Sequence, residues 1–228
     1  MFSLQQLFGR KPAIESGPTF LKTYYQSNFS GSKQLPIDEA VFCVLDCETT
    51  GLDKNDRIIT VGAVKVHRSM ISVGDALDLR LGSESGNASA EVHEELSFAP
   101  EATSAEFLEQ FLVYLNNAII VGHNVAFDIG KLNQWLSSHF KGCRLKNKVL
   151  DTFNLMKRLD VERMNRMVAG HDSFQLDKLC EEFNIPVENR HTALGDAYLT
   201  AQVFMHQVNL LQKRGVKTLG ALMNTPSF

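Results

Sequence analysis

Four acidic residues in three separate stretches of the sequence have side chains and positions suited to metal chemistry. Asp46 ends the apolar run VFCVLD, which predicts a buried strand, and Glu48 follows two residues later. Side chains two residues apart on a strand point to the same face. Asp128 follows the apolar run IIVG in the first turn of a predicted helix, and Asp196 lies within a long predicted helix. Neighbouring carboxylates repel each other, so the first pair requires a cation, a proton or an arginine.

Carboxylates from separate segments are the ligands that hard divalent cations prefer. Mg²⁺ takes oxygen ligands, keeps several waters and is commonly bound through carboxylates together with substrate phosphate. Two such ions about 4 Å apart can clamp the attacking and leaving oxygens of a phosphodiester. Taken singly, the acids also have ordinary explanations: a solvated strand end for Asp46 and Glu48, and a favourable charge at a helix N-terminus for Asp128.

His191 is a candidate general base near these acids. It precedes Asp196 by five residues, which is about 140° around a helix, so the two share a site only if His191 lies in the loop before the helix. An imidazole beside a metal-bound water can accept its proton near neutral pH. The alternative is a surface histidine at a helix entrance. The other six histidines lack metal-ligand spacing, which argues against a zinc site.

The hydrophobic pattern predicts an α/β domain with a mixed sheet. Apolar or alternating runs predict strands at 40–46, 57–68, 70–81, 118–124 and the start of 148–159. Helical spacing predicts helices at 104–117, 126–140, the end of 148–159, 173–185 and 192–215. The turn GLDKND separates the first two strands, and 82–91 is predicted to be a flexible loop.

The predicted domain covers residues 39–215 and has a segment on either side. Residues 1–38 form an N-terminal extension, which we expect either to pack on the domain or to recruit a partner, and residues 216–228 form a C-terminal tail. The four cysteines contain no C-x-x-C pair, which indicates reduced packing residues in a cytoplasmic protein.

The charge balance argues against nucleic-acid binding through bulk attraction. The formal net charge of the 228 residues is −3, so any polyanion must be attracted locally, by lysines or by bound cations. The basic stretch KGCRLKNK at 141–148 is either a patch that steers a single strand or a solvated loop. No apolar run approaches the roughly 18 residues that span a bilayer, and the first residues lack a signal-peptide layout. We therefore expect neither a membrane association nor secretion.

Three stretches together resemble the motifs of the DEDDh family of 3′→5′ exonucleases, whose members include the proofreading subunit of bacterial DNA polymerase III, RNase T and oligoribonuclease. The segment LDCETTGLD is similar to the first motif, D-x-E-T-T-G, and GHNVAFDIGKL to the second, H-N-x-x-F-D. The segment HTALGDAYLTAQVF is similar to the third, H-x-A-x-x-D-A, and LDTFNL and LDKLCEEFNI resemble the connecting segments. The resemblance covers about residues 40–210.

The resemblance implies an RNase H-like fold, with a mixed five-stranded sheet flanked by helices. It implies that Asp46, Glu48, Asp128 and Asp196 hold two Mg²⁺ or Mn²⁺ ions, and that His191 deprotonates the attacking water. The expected products are nucleoside 5′-monophosphates from the 3′ end of single-stranded DNA or RNA, in proofreading or repair. A polymerase or another replication or repair protein is the expected partner.

The resemblance also implies substrate contacts near the acids. The positions that match contacts with the terminal nucleotide, or the shell around the site, are Thr49, Leu52, His123, Asn124 and Phe127. For Phe127, core packing is an equal alternative. Many relatives carry an I-H-G-I-T segment after the third strand, whereas this sequence has AEVHEELSFAP, in which His93 aligns but the glycine and threonine are missing.

Two other functions fit parts of the pattern. A catalytically idle nucleic-acid-binding module could share the fold, although it would not need all five catalytic positions. An unrelated phosphatase could bind Mg²⁺ through the D-x-E pair, but it would not require Asp128 or His191.

Overall fold

The structure is a computed structural model that describes residues 14–53, 55–82, 101–160 and 174–224. The strands are β1 (Phe42–Thr49), β2 (Ile58–His67), β3 (Met70–Leu81), β4 (Glu101–Ala102), β5 (Ile119–Gly122) and β6 (Val149–Asp151). The helices are α1 (Thr19–Gln26), α2 (Ser104–Leu115), α3 (Ala126–His139), α4 (Thr152–Leu159), α5 (Leu176–Glu182), α6 (Ala193–Lys213) and α7 (Leu219–Met223). A 3₁₀ turn, Ile37–Glu39, precedes β1.

The strands form one mixed sheet in the order β4-β3-β2-β1-β5-β6. The strands β1, β2 and β3 form an antiparallel meander, whereas β5 and β6 run parallel to β1. The turn between β2 and β3 has two residues, Arg68 and Ser69, both with positive φ, as a tight hairpin requires. The predicted mixed five-stranded sheet is confirmed, and the two-residue strand β4 extends it at one edge.

The sheet is buried on both faces, which explains why β1 is apolar along most of its length. Val44 and Val121 pack on one face, beneath α4, α5, α6 and α7. Cys43, Leu45 and Ile120 pack on the other face, beneath α1, α2 and α3. A strand covered on both faces cannot alternate polar and apolar residues until it leaves the core, and β1 becomes acidic only at its carboxyl end.

The long helix α6 begins directly against the sheet, and a glycine makes this possible. A Cβ atom on Gly62 of β2 would lie 2.1 Å from the backbone nitrogen of Leu194, closer than any side chain permits. Gly62 pairs with Asp46 of β1 across the ladder. The first turn of α6, which carries Asp196, is therefore held beside the acidic end of β1.

The described parts of the flanking segments pack onto the domain. In α1, Leu21 and Tyr24 are buried, and the Tyr24 hydroxyl accepts a hydrogen bond from the backbone N–H of Lys146 at 2.8 Å. In α7, Leu219 and Leu222 are buried in the core. These contacts favour packing as the role of residues 14–38, while the domain boundaries at residues 38 and 215 stay a prediction.

Several predictions concern segments that the structure describes only in part. His93 and nearly all of the predicted loop at 82–91 lie outside the described residues, as does the first residue of the predicted helix at 173–185, which extends from Leu176 to Glu182. Within the described ranges, no helix is both long enough and apolar enough to cross a membrane.

Candidate active site

Three of the predicted metal ligands lie together at the carboxyl end of β1. Carboxylate oxygens of Asp46, Glu48 and Asp196 lie within 4.8 Å of one another. The first two leave the sheet on the same face of β1, and Asp196 projects from the first turn of α6. Asp196 is buried, while Asp46 and Glu48 are partly buried. Such a group of hard oxygen donors suits a divalent cation.

The fourth acid, Asp128, lies beside this group and is tied to the same strand. It is buried in the first turn of α3, and its Oδ1 accepts a hydrogen bond from the backbone N–H of Cys47 at 3.1 Å. Cys47 stands between Asp46 and Glu48. The hydrogen bond holds Asp128 against the segment that carries the first two acids, although Asp128 is not one of the three acids within 4.8 Å.

The acids lie close enough to disfavour one another's charge. Burial, followed by the charges of Asp128, Asp196 and Glu48, raises the pKa of Asp46 well above its usual value. Burial and the charge of Asp196 also raise the pKa of Glu48. Burial raises the pKa of Asp128 to about 7. A bound cation would lower these pKa values again, because it stabilises the ionised carboxylates.

One oxygen of Asp196 indicates where a cation would fit. Its Oδ2 accepts a hydrogen bond from Arg190 Nη1, but its buried Oδ1 has no hydrogen-bond partner among the described residues. A buried carboxylate oxygen without a partner is costly, and a metal ion at this position would supply the missing ligand contact. The residues present therefore fit a divalent ion.

Arg190 is a site residue that the sequence analysis missed. Its Nε and Nη2 donate to the two carboxylate oxygens of Asp177 on α5, at 2.5 Å and 3.2 Å, while Nη1 reaches Asp196. The sequence did offer a signal for Arg190, because a cationic residue directly precedes His191, the first residue of the third motif. The partner Asp177 was not recognisable, because it comes from a different helix.

His191 lies in the loop before α6, as a shared site requires. The helix begins at Ala193, after the N-cap Thr192, whose hydroxyl accepts a hydrogen bond from the N–H of Gly195 at 3.1 Å. His191 is exposed, and its backbone is left-handed, with φ of 63°. Burial is the main influence on the pKa of Glu48 and raises it, while interaction with the His191 imidazole opposes this rise, so the imidazole lies within electrostatic reach of the acids.

Two of the predicted substrate residues lie on or beside the loop that follows β1. Leu52 is 85% exposed, which is unusual for a leucine, and the Thr49 hydroxyl donates to the carbonyl of Gly51 at 2.6 Å. Phe127 lies in the first turn of α3 next to Asp128, and the centre of its partly buried ring lies 5.3 Å from Lys131 Nζ. Lys131 is a second residue that the sequence analysis missed.

The other two predicted substrate residues, His123 and Asn124, lie in the turn between β5 and α3 and contact the end of β6 and the start of α4. His123 is turned inward, with Nδ1 2.8 Å from the Thr152 hydroxyl, and burial lowers the pKa of its imidazole to about 4. Asn124 is exposed, and its N–H donates to Asp151 Oδ1 at 3.1 Å. His123 is therefore neutral and anchored to the scaffold, whereas the Asn124 side chain faces solvent.

The basic stretch 141–148 follows α3 and ends beside the start of β5, at the opposite end of the sheet from the acids, which favours a solvated loop over a patch that steers a single strand. The backbone of Lys148 accepts a hydrogen bond from Ile120 at the start of β5, and β5 runs parallel to β1. Ile120 pairs with Cys43 of β1, which lies three residues, or about 10 Å, before Asp46 along the strand. Lys148 itself donates to the carbonyl of Ser30 in the N-terminal segment.

The chain is similar to known nucleases and polymerases. A model of the exonuclease family, of the RNase T type, matches residues 43–204. The chain is 31% identical over 226 residues to a PolC-type DNA polymerase III of Thermotoga petrophila, covering 97% of this chain and 15% of that protein. It is 32% identical over 203 residues to a DNA polymerase III subunit epsilon-like protein of Rhodobacter capsulatus, covering 85% of this chain and 27% of that protein.

Solved structures with low sequence identity share the fold. Exonuclease I of E. coli, in complex with a dT13 oligonucleotide, superposes with a TM-score of 0.60 at 18% identity, covering 78% of this chain and 44% of that one. Its zinc-bound complex with single-stranded DNA gives the same TM-score at 19% identity, covering 77% and 42%. These similarities confirm the RNase H-like fold. Because the family model spans most of the sequence, from β1 into α6, this chain belongs to the exonuclease family.

Proposed function

We propose that this chain is a metal-dependent 3′→5′ exonuclease that hydrolyses single-stranded DNA and releases nucleoside 5′-monophosphates. The observation that supports this most is the meeting of Asp46, Glu48 and Asp196 within 4.8 Å, with Asp128 bonded to the strand between the first two. No single element supplies this set, so its assembly depends on the fold as a whole.

The proposed cofactor is a pair of Mg²⁺ or Mn²⁺ ions held by the four acids, Asp46, Glu48, Asp128 and Asp196. When bound, such ions neutralise phosphate charge and lower the pKa of water. The unpartnered Oδ1 of Asp196 and the raised pKa of Asp46 and Asp128 support this proposal, because all three acids gain from a nearby positive charge.

In this proposal His191 accepts the proton of the attacking water. Its position outside α6 leaves the ring at the solvent-facing side of the acids, where substrate and water arrive. Arg190 adds a fixed cation and holds one oxygen of Asp196, which leaves the other oxygen available for a metal ion. His123 shapes the floor of the site through its hydrogen bond with Thr152.

DNA is proposed as the substrate because the similar proteins act in DNA metabolism by name. The relatives are DNA polymerase III proteins, and the solved Exonuclease I structure contains a dT13 oligonucleotide. This chain spans only 15% and 27% of the two relatives described above. We therefore also propose that it acts with a polymerase or another replication or repair protein, in the cytoplasm.

The decisive experiment measures nucleotide release from single-stranded DNA and RNA oligonucleotides labelled at the 3′ end. With Mg²⁺ or Mn²⁺, we expect the label to appear at once as a 5′-mononucleotide, faster from DNA, and EDTA should abolish release. Asp46→Ala serves as the matched inactive control. Binding of the oligonucleotide without metal-dependent release would instead favour the idle nucleic-acid-binding module, and release from the 5′ end first would contradict the proposed polarity.

A further inference from the structure

Lys131 is a buried lysine on α3 whose ammonium group is directed at a loop rather than at an acid. Its side chain is almost fully buried, with 6% of the residue exposed. Its Nζ donates to the backbone carbonyls of Asp53, at 2.5 Å, and Asp56, at 2.9 Å, and lies 5.3 Å from the centre of the Phe127 ring. A buried ammonium is costly unless it is hydrogen-bonded, and here two carbonyls satisfy it.

The loop that Lys131 holds joins β1 to β2 and is also tied from within. The Asp56 carboxylate accepts hydrogen bonds from the Thr50 hydroxyl at 2.9 Å and from the N–H of Asp53 at 2.6 Å. At the base of the loop, the N–H of Thr50 donates to the carbonyl of Arg57 at 2.9 Å. Asp56 therefore fixes the shape of the loop, and Lys131 fixes its position on the domain.

Helix α3 connects this loop to the acids. Asp128 and Lys131 are three residues apart, so they lie on the same side of the helix. Asp128 is bonded to the strand between the acids, and Lys131 is bonded to the loop that follows the same strand. The exposed Leu52 lies on that loop, next to Asp53. One side of one helix thus sets the distance between the acids and Leu52.

We propose that Lys131 is a positioning residue, which holds Leu52 where the 3′-terminal nucleotide meets the acids. The inference rests on the proposed exonuclease function. An apolar side chain could fill the space under the loop at a lower desolvation cost, but it could not donate to two inward carbonyls. Loss of Lys131 should therefore weaken substrate binding while leaving the acids and their metal ions in place.

The first test compares Lys131→Met with the wild-type protein and with Lys141→Met, an exposed lysine at the other end of the sheet. Because the loop that carries Leu52 would lose both hydrogen bonds from Lys131, we expect KM for a single-stranded oligonucleotide to rise about tenfold or more. We expect kcat to change by less than about twofold, as for the loss of uniform binding. Amide hydrogen exchange should accelerate at residues 50–57 and remain unchanged in α6. Lys141→Met should match the wild type in all three measurements.

The second test asks whether Lys131 acts through Leu52. Leu52→Ala should raise KM by itself, and adding Lys131→Met should raise it little further, because both changes remove the same contact. The positioning role is wrong if the rise in KM of the double variant equals the product of the rises in the two single variants. It is also wrong if Lys131→Met lowers kcat and leaves KM unchanged. If Lys131→Met does not fold, Asp56→Ala loosens the same loop from within and must raise KM in its place.

These outcomes separate this inference from the proposed function. A wild-type protein that releases no nucleotide contradicts the exonuclease proposal, and hydrogen exchange at 50–57 then decides whether Lys131 holds the loop. An active wild type whose KM is unaffected by Lys131→Met contradicts only the role of Lys131.

Discussion

Asp128 on α3 accepts a hydrogen bond from the backbone N–H of Cys47 at 3.1 Å, and Cys47 lies between Asp46 and Glu48 on β1. The buried acid of the second motif is therefore attached to the backbone that carries the acids of the first. Because Asp128 is held by the strand itself, its distance from those acids is set by backbone geometry rather than by a flexible side chain.

Removing an acid should abolish turnover and stabilise the metal-free protein. We expect Asp46→Ala and Asp196→Ala to lower kcat by about a thousandfold or more, because the ions supply several kcal/mol of transition-state stabilisation. In EDTA, the free energy of unfolding of Asp46→Ala should exceed that of the wild type, since burial and like charges raise the pKa of that acid and disfavour its ionised form. Nucleotide release and urea unfolding provide the two measurements. Asp75→Ala, on the exposed face of β3, is the control; an Asp46→Ala rate close to that of wild type would contradict the site.

Metal binding should release protons near neutral pH. Burial raises the pKa of Asp128 to about 7, so a substantial fraction of the metal-free protein is protonated there, and a cation displaces that proton. Calorimetric titration with Mg²⁺ at pH 7, in two buffers of different ionisation enthalpy, should give different apparent enthalpies. Asp128→Asn should reduce the difference. Identical enthalpies in both buffers for the wild type would show that no acid at the site is protonated.

Loss of the proposed general base should lower the rate without removing the metal. We expect His191→Ala to reduce kcat by about a hundredfold to ten-thousandfold, the usual contribution of a general base, with Mg²⁺ affinity retained. His139→Ala, an exposed histidine at the end of α3, is the matched control. The same pair of measurements tests the phosphatase alternative, in which both His191→Ala and Asp128→Ala would keep their activity.

The buried His123 should make the protein sensitive to acid. Burial lowers the pKa of its imidazole from 6.5 to about 4, so the folded protein binds fewer protons than the unfolded chain between these values. The folded protein therefore has its full free energy of unfolding, as far as His123 is concerned, above pH 6.5. As the pH falls toward 4, protonation of His123 in the unfolded chain lowers that free energy by about 3 kcal/mol. Urea unfolding of the wild type and of His123→Gln at pH 7.5 and pH 4.5 measures this contribution. Equal losses for the two proteins would show that other groups cause the acid sensitivity.

Local patterns account for much of the fold. The apolar run before Asp46 predicted β1, because a strand buried on both faces cannot be polar until it leaves the sheet. The helical spacing of residues 104–117 and 126–140 predicted α2 and α3 to within a few residues. The alternation of side chains along a strand also predicted that Asp46 and Glu48 share one face.

Contacts between distant segments were beyond the reach of sequence patterns. Nothing local to Gly62 indicates that the start of α6 packs on it, yet this contact sets the position of Asp196. Arg190 finds Asp177 on another helix, and Lys131 finds two carbonyls on a loop more than 70 residues earlier. The packing of Leu219 in the core likewise depends on tertiary structure, so the C-terminal segment resembled a tail in sequence.

The most direct test of the account is a crystal structure with Mn²⁺, located by anomalous scattering. The account predicts two peaks about 4 Å apart, bound by oxygens of Asp46, Glu48, Asp128 and Asp196. An absence of peaks at these carboxylates at saturating Mn²⁺, or a Mn²⁺ ion bound only elsewhere on the protein, would contradict it.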